Sequence, residues 1–237
     1  DRDCGGNGGA NEAVRVLEQE EVCCALSYAD LAARVWAAGE QLQAAVAASG
    51  RAHGNVAMVA IAAPDAAEVP LPQCVLQLAA ATRRGLAFAA MDVARWPAAR
   101  AAAVLSASGA ALLLAPASLS GRAKAAAAMV SPPCPVVSAE AFAAEGSAPA
   151  APGTAAQTAQ HQLPLAGDLI WLQFTSGSTG APKGVLCTHG AAAAYVSARA
   201  AAEGIGPRSV VLLASALTFD PHQADILSAI SARAKLA

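Results

Sequence analysis

Residues 174 to 185 read FTSGSTGAPKGV, a concentration of glycine, hydroxyl and lysine in a chain otherwise rich in alanine and aliphatic side chains. Gly177, Gly180 and Gly184 let the backbone turn its N–H groups toward one point, while Thr175, Ser176, Ser178 and Thr179 add hydroxyl donors and Lys183 a full positive charge. Such a nest binds anionic oxygen. The chain has three lysines, Lys124, Lys183 and Lys235, and finding one of them here favours purpose over accident. A solvated Gly/Ser linker would have the same composition, but apolar DLIWLQF precedes the loop and VLC follows it, so it lies inside a folded unit. The nucleotide pattern G-x-x-x-x-G-K-[ST] is not met, because Lys183 follows Pro182 and precedes Gly184, and G-x-G-x-x-G is absent. The pattern reads as phosphate cradling of a third type.

A second candidate lies downstream in VVLLASALTFDPHQADILSAI, 210 to 230, where Phe219 and Asp220 lead from a strand into a helix. Asp220 before Pro221 reads as a helix N-cap with proline at the first helical position. Ala224, one helical turn further on, shares its face. His222 sits in the first turn of this helix, and His189 beside Thr188 reads as a helix-start residue. Neither histidine has a partner that would make a nucleophile dyad, so Ser176 or Ser178 is no hydrolase serine. Cys4, Cys23, Cys24, Cys74, Cys134 and Cys187 form no C-x-x-C pair and stand near no histidine ladder; no metal site is expected, and they read as reduced, packed thiols.

The elements that must hold these residues follow from the apolar pattern. Leu31, Val35, Leu42 and Val46 mark an amphipathic helix from Tyr28 to about Ala48, stopped at Gly50. NVAMVAIAA, 55 to 63, reads as a buried parallel strand; a helix from about Leu71 to Arg83 stops at Gly85, and apolar runs follow at 86 to 91 and 111 to 115, with a helix opening at Pro97 between them. Helices alternating with short apolar runs predict an α/β domain with a parallel sheet. Four segments are expected: 1–24 disordered, 25–142 a first α/β unit, 143–166 an Ala/Pro-rich flexible insertion, and 167–237 a unit holding the glycine loop and the Asp220 helix. The chain ends at SAISARAKLA without a helix stop, as a longer protein cut at this point would.

Apolar residues make up 56% and charged residues 14% of 237, against about 45–50% and about 25% in ordinary globular chains, so wholesale disorder is excluded. A net charge of −2 gives no electrostatic reason to expect nucleic acid or an anionic membrane. No signal peptide opens the chain, and no apolar run reaches the roughly 20 residues of a membrane span; a soluble, cytoplasmic protein is expected.

TSGSTGAPKG resembles the phosphate loop of the adenylate-forming superfamily, which includes acyl-CoA synthetases, luciferases and the adenylation domains of nonribosomal peptide synthetases. LSYADLAARV, 26 to 35, resembles that family's opening helix, and RRGLAFAAMD, 83 to 92, its KAG-x-AY-x-P-x-D segment, with Ala90 where the proline stands. The resemblance covers roughly residues 25 to 237 and the first half of a family member. It implies a layered α/β/α domain, truncated, from an enzyme in which a carboxylate attacks the α-phosphate of MgATP and a thiol of CoA or carrier-protein phosphopantetheine then takes the acyl group. It assigns Thr175, Ser176, Gly177, Ser178, Thr179, Gly180 and Lys183 to the β- and γ-phosphates, with Thr179 and Lys183 catalytic, and Phe219, Asp220 and Ala224 to the substrate pocket, Asp220 pairing with a substrate ammonium. The family's adenine, ribose and magnesium ligands fall beyond residue 237, so the fragment alone is expected to be inactive.

Three hypotheses stand side by side. SALTFDP resembles the β-alanine-activating branch and favours an amino-acid substrate, whereas WLQFTSGST is similar to fatty-acid-activating ligases, for which an aspartate in the pocket is unfavourable. A degenerate, non-catalytic nucleotide-binding module is the second, and an unrelated phosphotransferase, which needs an acidic cluster not visible here, the third.

Overall fold

The computed structural model describes residues 12–18, 21–51, 56–63, 71–143, 163–175 and 182–237. Its main sheet has six strands: β3 (Ala57–Ala62), β4 (Leu86–Met91), β5 (Leu112–Ala115), β6 (Val136–Ser138), β7 (Leu169–Thr175) and β8 (Lys183–Thr188), in the spatial order β6-β5-β3-β4-β7-β8. All neighbours are parallel except β7 and β8, which form an antiparallel hairpin. A smaller sheet joins β1 (Glu12–Glu18) and β2 (Glu21–Ser27) to β9 (Val210–Val211) and β10 (Lys235–Leu236) in the order β2-β1-β10-β9.

The helices are α1 (Tyr28–Ser49), α2 (Leu71–Ala81), α3 (Ala98–Ser108), α4 (Ser120–Ala128), α5 (Glu140–Ala143), α6 (His189–Glu203) and α7 (Asp220–Ser231). α1 begins on a capping box, with the Ser27 hydroxyl accepting from the Asp30 N–H and the Asp30 carboxylate accepting from Ser27 N–H. It ends at Gly50, whose φ of 63° is the left-handed turn that glycine alone adopts without penalty.

Strand alternation divides the core into two layers. Val59, Ile61, Phe88, Leu112 and Leu114 point to one face and pack with Leu42 of α1, Leu76 of α2 and Ile226 of α7. Ala60, Ala62, Met91 and Leu113 point to the other and pack with Val104 and Leu105 of α3 and Ala123 and Ala126 of α4. β3, β4 and β5 are buried along their whole length, as strands covered on both faces must be. The result is the expected α/β/α layering. No helix among the described residues is long and apolar enough to cross a membrane.

Three expectations change. The composition of residues 1–24 predicts disorder, yet 12–18 and 21–27 are paired strands, and β1 also pairs with β10 more than two hundred residues away. The glycine-rich start masks the alternation in EAVRVLE, and the further strand that pairs with the hairpin lies at the far end of the sequence. The proposed units 25–142 and 167–237 share one sheet through the pairing of Phe88 with Trp171 and Ala89 with Leu172. The proposed insertion, 143–166, falls mostly outside the described residues. Finally, the apolar VVLL segment gives only the two-residue β9, in the smaller sheet.

Candidate functional site

β7 carries the chain to the glycine loop, and β8 takes it back. Thr175 and Lys183 stand opposite each other at the loop end of this hairpin, and the Thr175 hydroxyl donates to the Lys183 carbonyl at 3.3 Å. Both residues are exposed, and Lys183 makes no ion pair among the described residues. A hydroxyl and an ammonium at the mouth of a turn fit an anionic oxygen. Ser176, Gly177, Ser178, Thr179 and Gly180 lie outside the described residues. Gly184 has a packing reason beside any functional one: a Cβ there would come within 2.8 Å of Leu172 Cδ1.

The second candidate lies at the start of α7. Phe219 is the N-cap position and supplies no side-chain cap, so Asp220 is the first helical residue and Pro221 the second. This corrects the assignment of Asp220 as the cap. Its carboxylate is exposed and forms no hydrogen bond or ion pair among the described residues, and a negative charge in the first helical turn is favoured by the helix dipole. Phe219 is 62% exposed, and Ala224 is buried at 6% on the same side of the helix as Asp220.

His222 faces inward instead of joining Asp220. It is 2% exposed, and its Nδ1 donates to the Ser215 carbonyl at 2.9 Å, which fixes the proton on Nδ1 and leaves Nε2 as a buried acceptor with no partner among the described residues. Burial holds its pKa below the usual value. His189 is the first residue of α6, behind an N-cap in which Thr188 accepts from Ala191 N–H, and burial lowers its pKa too. Its backbone N–H donates to the Asp168 carbonyl, which agrees with a helix-start role.

Residues that sequence reasoning passed over connect the two candidates. The Gln173 side-chain amide donates to the carbonyl of Thr218, directly before Phe219 and Asp220. Thus the strand that ends in Thr175 is tied to the segment that presents Asp220. Gln223, 3% exposed, donates to the Leu217 carbonyl at 3.1 Å and fixes the other side of the same segment. Arg199 of α6 bridges to Asp225 at 2.8 Å and so holds α6 against α7. The available signal was a lone amide, Gln173, in the apolar strand LIWLQFT.

A crevice behind α7 is lined by Gln77, Phe88, Ile170, Gln223, Ile226 and Leu227. Gln77 is 2% exposed, and neither of its side-chain polar atoms has a partner among the described residues. Among the described residues no group of three or more His, Cys, Asp or Glu side chains could hold a metal ion.

The chain belongs to the AMP-binding enzyme family, whose model matches residues 9–237. A segment of 65 residues is 48% identical to nonribosomal peptide synthetase malG of Malbranchea aurantiaca, covering 27% of this chain and 3% of that protein. Another of 64 residues is 42% identical to nonribosomal peptide synthetase 32 of Fusarium pseudograminearum, covering 27% of this chain and 1% of that one. Among solved structures, ATP-bound MatB from Rhodopseudomonas palustris matches with a TM-score of 0.74 and 19% identity over 97% of this chain and 42% of that one. The AMPPNP-bound nonribosomal peptide synthetase FmoA3 matches with a TM-score of 0.69 and 21% identity, over 96% of this chain and 21% of that one. The structural matches establish the fold. The chain spans less than half of MatB and only a few per cent of the curated relatives.

Proposed function

We propose that this chain carries the ATP-phosphate loop and the acid-binding helix of an enzyme that adenylates an amino acid, α- or β-, and passes it to a phosphopantetheine or CoA thiol. The observation that carries the reading is a pair of exposed charges with no ion pair among the described residues, Lys183 at the start of β8 and Asp220 at the start of α7, on elements tied together by the hydrogen bond from Gln173 of β7 to the Thr218 carbonyl. The cation suits the phosphates of ATP, and the carboxylate suits an ammonium.

In the reaction, a carboxylate oxygen of the acid bonds to the α-phosphorus of ATP and the bond from that phosphorus to the β-phosphate oxygen breaks, releasing pyrophosphate. A thiolate then bonds to the acyl carbon, and AMP leaves with the oxygen. The task in the first step is to bring two anions together and stabilise charge on the departing pyrophosphate. Lys183 and Thr179 are assigned that stabilisation, with Thr175, Ser176, Gly177, Ser178 and Gly180 completing the cradle. Magnesium would arrive with the nucleotide and be held largely by its phosphates and waters. Asp220 orients the amino group, with Phe219 and Ala224 beside it.

The similarity to nonribosomal peptide synthetases supports an amino-acid substrate and a carrier-protein acceptor, and the need for ATP supports a cytoplasmic location. The test is acid-dependent ATP–pyrophosphate exchange by the full-length protein with α-amino acids, β-alanine and a fatty acid, beside Lys183→Ala. Exchange with an amino acid, lost in the variant, is expected. Exchange with only the fatty acid would keep the chemistry and discard the role of Asp220; a folded protein inert with every acid would identify a non-catalytic module.

A further inference from the structure

We propose that Gln173 is a positioning residue that couples the phosphate-binding turn to the acid-binding helix. The inference rests on the adenylation reading above and adds a specific device to it. Gln173 lies two residues before Thr175 on β7, so the side chains of Thr175 and Gln173 leave the strand on the same face. Across the hairpin Gln173 is paired with Val185 and Thr175 with Lys183. The amide of Gln173 therefore belongs to the framework that sets the position of Lys183.

Its amide N–H donates not to β8 but to the Thr218 carbonyl, 45 residues away. Thr218 is followed by Phe219, the N-cap of α7, and by Asp220. The same segment is also held from α7, where Gln223 Nε2 donates to Leu217 O at 3.1 Å and His222 Nδ1 to Ser215 O at 2.9 Å. Those two bonds come from α7 itself and fix only the helix's own entrance. Of these three bonds, Gln173 supplies the one that comes from the strand bearing Thr175.

The chemical consequence follows from what adenylation requires. The attacking carboxylate is placed by its ammonium on Asp220, and the α-phosphorus by the polyphosphate on Lys183 and its neighbours, so the gap between them depends on the spacing of the two anchors. A misplacement of about 1 Å costs on the order of 100-fold in rate. Either anchor alone still binds its own ligand. Loss of Gln173 should consequently fall on kcat, with binding of each substrate little altered.

The experiment compares Gln173→Leu, which keeps the volume and removes the donor, with Gln173→Glu, which keeps the shape and sets an acceptor against the Thr218 carbonyl. Backbone hydrogen exchange of the nucleotide-free protein is read first: peptides covering 216–220 should exchange about three- to tenfold faster in Gln173→Leu, with 86–91 unchanged. Unchanged exchange at 216–220 would overturn the proposal.

In ATP–pyrophosphate exchange, kcat should fall about 10- to 100-fold in both variants, with each KM changing less than about threefold. Adding Gln173→Leu to Asp220→Asn should cost less than about threefold more, because the spacing ceases to matter once the ammonium anchor is gone. A folded variant with unaltered kcat, a change confined to KM, or effects that simply multiply would overturn it. A wild-type protein that exchanges with no acid, but whose hydrogen exchange responds as expected, would remove the adenylation reading and support the tie between β7 and the start of α7.

Discussion

Thr175 and Lys183 are register partners at the loop end of the β7–β8 hairpin, joined by a hydrogen bond from the Thr175 hydroxyl to the Lys183 carbonyl at 3.3 Å. The bond uses the backbone of Lys183 and leaves its ammonium available. Lys183→Ala should therefore leave the hairpin folded and lower pyrophosphate exchange about 100-fold or more. Circular dichroism beside the kinetic assay separates the two effects. A variant with full activity would remove Lys183 from the reaction.

Asp220 is exposed at the first position of α7, and its carboxylate caps no backbone group among the described residues. Asp220→Asn is expected to raise KM for an amino acid by about 10- to 100-fold, the worth of a hydrogen bond to a charged group, and to leave KM for ATP unchanged. Equal effects on both substrates would show a structural role instead.

His222 is buried with its proton on Nδ1, and burial depresses its folded pKa below the ordinary 6.5. The unfolded chain takes up the proton first, so its contribution is neutral above about pH 6.5 and increasingly destabilising as pH falls from there toward the lowered folded pKa. His189 acts in the same direction. Thermal unfolding should thus shift to lower temperature between about pH 7.5 and pH 5.5, and His222→Gln should flatten part, though not all, of that slope. An equal slope in the variant would show that other groups carry the pH dependence.

Gly39 sits in α1 against Arg83. The Arg83 side chain is 2% exposed, stacks on Trp36 with its guanidinium carbon 4.1 Å from the ring centroid, and bonds to Glu40 at 2.8 Å. A Cβ on Gly39 would stand 2.4 Å from Arg83 Nε. Helix propensity alone makes Gly39→Ala stabilising by about 1 kcal/mol. Overpacking against a guanidinium pinned on two sides costs about 1–3 kcal/mol, so the net change is expected to be destabilising. Chemical denaturation of the variant decides the sign.

Burial pushes the Cys74 thiol up to about 12. It should resist iodoacetamide at about pH 8 while the protein is folded and react on unfolding, because the thiolate is the nucleophile. Peptide mapping by mass spectrometry checks this site separately from the other thiols. Labelling of Cys74 in the native protein would show that α2 opens readily.

Much of the main sheet was legible in the sequence because its strands are short apolar runs and its helices end on glycines. Gly50 and Gly109, with φ of 63° and 60°, close α1 and α3 where the pattern stops. β6 and α4 were less visible: VVS is three residues long, and SGRAKAAAA shows little but alanine. The hairpin at 12–27 was missed because its remaining strand partners are at the opposite end of the chain. The site divided in the same way. Thr175 and Lys183 stand out as candidates by residue type and Asp220 by its resemblance to a substrate-pocket segment, whereas Gln173 reads as one polar residue in an apolar strand and only the fold pairs it with Thr218.

The sequence by itself determined the chemistry on offer: a loop of glycines, hydroxyls and one lysine after an apolar strand, and an aspartate at a helix start, since these depend on residue type and on neighbours a few positions away. Only the tertiary structure decided which of those groups point outward and what connects them. It turned His222 into the core, left Asp220 at the surface, and tied Gln173 to a carbonyl 45 residues on. Burial and long-range hydrogen bonds belong to the packing of whole elements, and no local pattern in the chain encodes them.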